Sequence, residues 1–214
     1  MFEPSSSPEQ LTYVDIFDTR LQLLANDSLW SHILFNSAIQ LAEFIQSNTL
    51  LFRDKTILEL GSGSGLPAII ASRFSSQVVT TDFPNKQILN NINYNIINNN
   101  STAKIFPLLW GNHLDQKFEV ILVSDCIQMV QEHANILQTL KESLSPNGTI
   151  YVIFQHHQPE KKASIMTFFE TARSAFDCVF VREIECQRQF PEDDAIYEKD
   201  VRQNCWLWEL TWKK

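Results

Sequence analysis

Thr56-Ile-Leu-Glu59-Leu-Gly61-Ser-Gly63-Ser-Gly65-Leu-Pro67-Ala68 is the stretch on which the reading of this chain turns. Residues 56–60 are few and mostly apolar, as a strand buried on both faces of a sheet must be. Three of the chain's five glycines then fall within five residues. Pro67 opens an apolar run to Phe74 that suits a helix, because proline is tolerated in a first turn. Glycine permits positive φ and lets a ligand lie against the backbone where a Cβ would collide. The helix that follows brings unpaired N–H groups and a positive dipole end to the same turn.

The alternation continues outward from that turn. Strand patterns recur at 77–81, 103–106, 119–124, 149–154, 178–184 and 204–212, with helical patterns at 66–74, 85–97, 131–144 and 160–176. Strands alternating with helices of this length give a parallel, twisted sheet with right-handed crossovers. The expectation is therefore an α/β, Rossmann-like sheet of seven strands with helices on both faces. Only a polar, acidic loop at 192–200 separates the last two strands, so the C-terminal strand should run antiparallel. Upstream, 11–17 and 21–25 suggest a hairpin around Asp18 and Thr19, and 29–45 a helix capped by Asp27 or Ser28. Eight of the sixteen residues from Asn85 to Asn100 are Asn, a poor helix former; this reads as compositional bias.

The 214 residues suit one domain, 1–214, with 1–10 an unstructured lead-in and 11–50 a cover over the site. A net charge of −8 argues against a phosphate-backbone partner and favours a basic protein segment or a small neutral molecule. No signal-peptide pattern opens the chain, and no apolar run approaches the ~20 residues of a membrane span. The four cysteines are scattered, without a C-x-x-C pair, which suggests reduced thiols and no metal site. The expectation is a cytoplasmic monomer that binds neither nucleic acid nor membrane.

Two cofactors use a glycine turn of this kind, a dinucleotide and S-adenosylmethionine. Gly63-x-Gly65-x-x-Ala68 fits the dinucleotide pattern, but Glu59, two residues before Gly61, would repel a pyrophosphate. It suits the cationic amino-acid portion of S-adenosylmethionine. Asp82, ending the second strand, can accept both ribose hydroxyls. Ser124 and Asp125 end the fourth strand at the same sheet edge. Trp110 could cover the adenine, and Trp30 could fold over the cofactor from the N-terminal helix. The expected cofactor-binding set is Trp30, Glu59, Gly61, Ser62, Gly63, Gly65, Asp82, Phe83, Trp110 and Ser124. Asp125 and His157, the latter ending the fifth strand, are the expected catalytic residues: Asp125 could orient an acceptor amine or accept its proton, and His157 could face the acceptor.

Glu59-Leu-Gly61-Ser-Gly63-Ser-Gly65 resembles the E/D-x-G-x-G-x-G turn of class I methyltransferases. From Thr19 onward the chain resembles the seven-strand, family-16 protein methyltransferases, in particular a nicotinamide N-methyltransferase-like branch that modifies translation elongation factor 1-alpha. Leu29-Trp30-Ser-His-Ile-Leu-Phe35-Asn36, Thr81-Asp82-Phe-Pro84, Asn91-Ile-Asn-Tyr94-Asn95, Trp110-Gly111-Asn112 and Leu210-Thr211-Trp212-Lys213 carry the likeness, with His157 and Pro159 after the fifth strand. The resemblance implies methylation of a protein lysine or N-terminal amine, with an elongation factor as partner. The chain departs from the wider D-x-x-Y/F pattern, having Asp125-Cys-Ile-Gln128. An aromatic there would wall the acceptor channel, whereas Gln128 can only hydrogen-bond. A small-molecule N-methyltransferase and a cofactor-binding scaffold are the alternatives.

Overall fold

The computed structural model describes residues 11–24, 33–187, 189–190 and 202–214. The expected lead-in, Trp30, and the N-cap positions Asp27 and Ser28 lie outside the described residues, as does most of the 192–200 loop.

A hairpin of β1 (Thr12–Ile16) and β2 (Thr19–Leu23) precedes the main sheet. α1 (Asn36–Ser47) leads to β3 (Ile57–Leu60), α2 (Leu66–Ala71), β4 (Val78–Asp82), α3 (Lys86–Asn98), β5 (Lys104–Pro107) and β6 (Phe118–Ser124). α4 (His133–Ser143), β7 (Leu144–Gln155), α5 (Lys162–Ala172), β8 (Phe176–Glu185) and β9 (Asn204–Trp212) follow. The seven-stranded sheet has the order β5-β4-β3-β6-β7-β9-β8, and β9 runs antiparallel to both its neighbours. The α/β fold, the seven strands and the antiparallel C-terminal strand are those the pattern implied.

Side chains alternate across the sheet, as the period of two requires. Ile57, Val120 and Leu122 face one core with Leu41, Ile45, Ile69 and Ile92 of α1, α2 and α3. Leu58, Leu60, Ile121 and Val123 face the other with Ile136, Leu140, Ile165 and Phe168 of α4 and α5. No helix among the described residues is long and apolar enough to cross a membrane.

Two local readings are corrected. Ile33, Leu34 and Phe35 are not helical, so the described helix begins at Asn36, later than the apolar spacing suggests. The cause is a tertiary tie: Gln189 Nε2 donates to Leu34 O and Gln189 Oε1 accepts the Asn36 N–H, which holds this segment extended. The asparagines of α3 are structural rather than a bias of composition. Asn91 and Asn95 pair with the backbone or side chain of Gln22 at 2.7–3.0 Å, and Asn99 pairs with Arg20 N and O. Four helical residues rise about 6 Å and two strand residues about 6.6 Å, so Asn95 and Asn99 meet the alternate residues Gln22 and Arg20 of β2, and Asn91 adds a second amide at Gln22. The helix thereby acts as the hairpin's third strand. Asn85 caps α3, accepting from Gln87 and Ile88 N–H groups.

Candidate active site

β3 and β6 are adjacent, and their connections leave toward opposite ends of the sheet. Open α/β sheets bind ligands in the crevice beyond the strand ends at that point. The glycine turn follows β3 there, and Asp125 follows β6.

Gly61, Gly63 and Gly65 all have positive φ, between 57° and 80°. Their reasons differ. A Cβ on Gly61 would lie 2.6 Å from Cys126 Sγ and 3.2 Å from the Trp110 ring, so packing within the chain excludes one. A Cβ on Gly63 would meet nothing within 4 Å. The backbone is therefore open to a ligand at Gly63. Beside it, Ser62 Oγ is buried and has no hydrogen-bond partner among the described residues, a donor and acceptor held ready at the cost of its own desolvation. An open cradle with an unpaired hydroxyl fits the polar amino-acid portion of S-adenosylmethionine.

Glu59 is 1% exposed and lies on the inner face of β3. Thr80 Oγ1 donates to it at 2.7 Å, and the Ala68 N–H of α2 also bonds to it. Burial pushes its pKa up to about 8 against these hydrogen bonds, with Asp82 adding like-charge repulsion. Asp82 accepts the Gly63 N–H at 2.8 Å and the Phe83 N–H at 2.7 Å, while the Phe83 ring is half exposed. Trp110 lies over Gly61, in a loop pinned by the Gly111 N–H donating to Thr139 Oγ1.

The second half of the crevice centres on Asp125, whose φ of 55° is left-handed. Asp tolerates that region better than most residues, and such conformations cluster at functional sites. Asp125 Oδ2 accepts a short hydrogen bond from Ser37 Oγ, which itself accepts from Ser124 Oγ at 3.0 Å. Asp125 Oδ1 accepts the Gln155 N–H at 3.1 Å and Gln128 Nε2 at 3.3 Å. His157 Nε2 stands 3.2 Å from Asp125 Oδ2, at ion-pair distance but without the alignment of a hydrogen bond. Burial would raise the Asp125 pKa, but His157, Ser37 and the Gln155 N–H outweigh it and hold the carboxyl low.

Phe35 and Phe190 flank His157, with ring centroids 5.3 and 5.5 Å away. Gln155 ties this region together: it accepts from Asn36 and donates to Cys186 Sγ, Gln187 O and Arg202 O. Gln128 also donates to Gln155 O, so it braces Asp125 and β7 rather than standing idle where an aromatic is missing.

Asp125 and His157 thus meet, and Glu59, Ser62, Gly63 and Asp82 gather around the glycine turn. Sequence reasoning missed Phe35, Ser37, Gln155 and Phe190. Of these only Phe35 carried a signal, within the Leu29–Asn36 string. Among the described residues no group of three or more His, Cys, Asp or Glu could hold a metal ion.

Comparison with known proteins agrees with this geometry. The family model described as Lysine methyltransferase matches residues 22–175. "Protein N-terminal and lysine N-methyltransferase efm7" of Schizosaccharomyces pombe is 31% identical over 222 residues, covering 92% of this chain and 87% of that protein. The protein of that name from Kluyveromyces lactis is 32% identical over 225 residues, covering 91% and 83%. Among solved structures, SMU.776 complexed with SAH superposes with a TM-score of 0.63 at 13% identity, covering 98% of this chain. Trm5b from Pyrococcus abyssi gives 0.61 at 12%, covering 97%. This chain spans 58% and 57% of those two, and the likeness concerns the fold. The chain belongs to the lysine methyltransferase family and is an S-adenosylmethionine-dependent methyltransferase.

Proposed function

We propose that this enzyme methylates a protein amine, a lysine side chain or an N-terminal amine, with translation elongation factor 1-alpha as the acceptor. The observation that carries the reading is the Asp125–His157 pair, buried beside the glycine turn and walled by two phenylalanines. Cys126, next to Asp125, touches that turn, so the pair borders the methyl donor's place. The names of the two yeast relatives support a protein amine, and the net charge of −8 suits a basic segment. The elongation factor rests on the likeness of the Trp30, Asp82, Trp110 and C-terminal motifs, and it puts the enzyme in the cytoplasm.

In this reading Gly61, Ser62, Gly63 and Gly65 hold the amino-acid portion of S-adenosylmethionine, and Glu59 faces that portion's positive charge from beneath the turn. Asp82 takes the ribose hydroxyls, Phe83 and Trp110 border the adenine, and Ser124 supports Asp125 through Ser37. The bound cofactor supplies an activated methyl group. The protein's part is to orient the acceptor nitrogen, exclude water and remove its proton.

Incubation of the enzyme with methyl-labelled cofactor and purified elongation factor 1-alpha tests this. Label on the factor, located by mass spectrometry to a lysine or the N-terminal amine, is expected. Label only in a small-molecule fraction such as nicotinamide, or none at all, would overturn the reading.

A further inference from the structure

We infer that His157 is the base that takes the acceptor's proton, at Nδ1, and that Asp125 is a positioning residue which clamps the other ring nitrogen. The inference rests on the acceptor being an amine, as proposed above.

Asp125 is the obvious base by sequence, and its surroundings remove it from that role. Its Oδ2 already receives Ser37 and faces His157 Nε2, and its Oδ1 receives the Gln155 N–H and Gln128 Nε2. An incoming ammonium would have to displace a bond in a site largely closed to solvent. The carboxyl is also held low by these contacts, which makes it a weak proton acceptor. What it can do is fix a neighbouring ring. A buried carboxylate at one imidazole nitrogen sets the tautomer, leaves the lone pair on the other nitrogen and stabilises the imidazolium that forms.

His157 meets those conditions. Nε2 stands 3.2 Å from Asp125 Oδ2, the approach of an ion pair rather than an aligned hydrogen bond, and the described residues show no hydrogen bond at Nδ1. Phe35 and Phe190 both pack against the ring and lie next to each other, 6.4 Å apart centroid to centroid, so the three rings form one cluster. They come from the residue before α1 and from the segment after β8, so the aromatic wall absent at Gln128 is supplied from elsewhere. An alkylammonium beside such rings is attracted by their faces.

The step balances as follows. The acceptor R–NH3⁺ gives one proton to Nδ1, and the imidazolium is paired with the Asp125 carboxylate. The freed lone pair forms the N–CH3 bond while the methyl C–S bond breaks, its electron pair remaining on sulfur. The imidazolium then returns its proton to solvent. The titratable groups around the niche are Asp125 and Cys126 after β6, His156 beside His157 with Lys162 of α5, and Cys186 and Cys205 behind Gln155. Of these, Asp125 is at contact distance from the ring.

The test uses the full-length enzyme and a peptide carrying the methylated segment. His157→Ala should lose about 10²-fold in turnover while binding SAH within about threefold of wild type. Added imidazole should restore at least tenfold, which it would not do for a merely structural residue. The wild-type rate should rise with pH through one inflection that His157→Gln removes. Independently of turnover, the His157 imidazole nitrogen resonances, which report which ring nitrogen carries the proton, should change in Asp125→Asn because the carboxylate facing Nε2 is gone. An unaltered pH–rate inflection in His157→Gln, no rescue by imidazole, or unchanged ring-nitrogen resonances in Asp125→Asn would each overturn the inference. A wild-type enzyme that labels no protein amine would overturn the acceptor instead, and the resonances would still report on the clamp.

Discussion

Asp82 Oδ2 accepts the Gly63 N–H at 2.8 Å, so the end of β4 holds the one glycine whose outer side is open. The same carboxylate is the proposed ribose ligand, and the two duties can be separated. Asp82→Ala should weaken binding of SAH by about 1.5–3 kcal/mol, the usual range for a charge-assisted hydrogen bond. Asp82→Asn keeps an oxygen for Gly63 and should lose less. Calorimetry on both variants checks this: equal losses would mean that the bond to Gly63 contributes nothing to binding, and an unweakened Asp82→Asn would mean that holding the turn is all Asp82 does.

Gly63→Val should abolish cofactor binding and leave a folded protein, since three added carbons would enter open space beside the turn. Gly61→Ala should instead destabilise the fold, because its Cβ would overlap Cys126 Sγ; a loss of about 1–3 kcal/mol is the usual cost of overpacking. Both positions have positive φ, so each variant also carries backbone strain; thermal unfolding should show the larger loss of stability for Gly61→Ala, and SAH titration the complete loss of binding for Gly63→Val.

Asn95 bonds Gln22 N and O and also Ser64 O, joining the hairpin, α3 and the glycine turn. Asn95→Ala leaves those backbone groups unpaired and should cost about 2–3 kcal/mol. Amide exchange of β1 and β2 should accelerate more than that of β3 to β7. A uniform change would contradict the hairpin's dependence on these amides.

Glu59 and His156 make stability depend on pH in opposite directions. The folded-state pKa of Glu59 is about 8 against an ordinary 4.5, so its contribution is full below 4.5 and is lost as pH rises toward 8. His156, buried between Phe154 and Trp206, is pushed down to about 4 by burial, with Lys162 adding repulsion. The native state therefore resists its protonation, and stability falls as pH drops from 6.5 toward 4. Each slope is about 1.4 kcal/mol per pH unit at most, so the two should cancel between 4.5 and 6.5. Above 6.5 the Glu59 slope stands alone. Glu59→Gln should flatten the alkaline side and leave stability rising from pH 4 to 6.5, as denaturant titrations across this range would record.

Much of the sheet was legible because its signals are local. Glycines 61, 63 and 65, the apolar runs and the lack of a helical pattern between β8 and β9 each act within a few residues. The helix starts were less legible: Leu34 and Asn36 are fixed by Gln189, more than 150 residues away. The site divided in the same way. Glu59, Ser62, Gly63 and Asp82 sit on or beside the motif, whereas the partners of Asp125 come from positions 37, 128, 155 and 157, and no spacing in the chain relates them. The asparagines were a missed opportunity. Asn91, Asn95 and the C-cap Asn99 lie four apart, the spacing of one helix face.

The antiparallel strand β9 is threaded between β7 and β8. During synthesis, β8 consequently has no sheet neighbour until Asn204–Trp212 emerges, and β7 presents a bare edge of Ile150, Val152 and Phe154 for as long. The half of the sheet that carries the glycine turn can assemble before Asn204–Trp212 is made, but the half that carries His157 cannot. A ribosome pausing before codon 204 would hold the nascent chain with that edge exposed, the state most open to capture by chaperones or to aggregation.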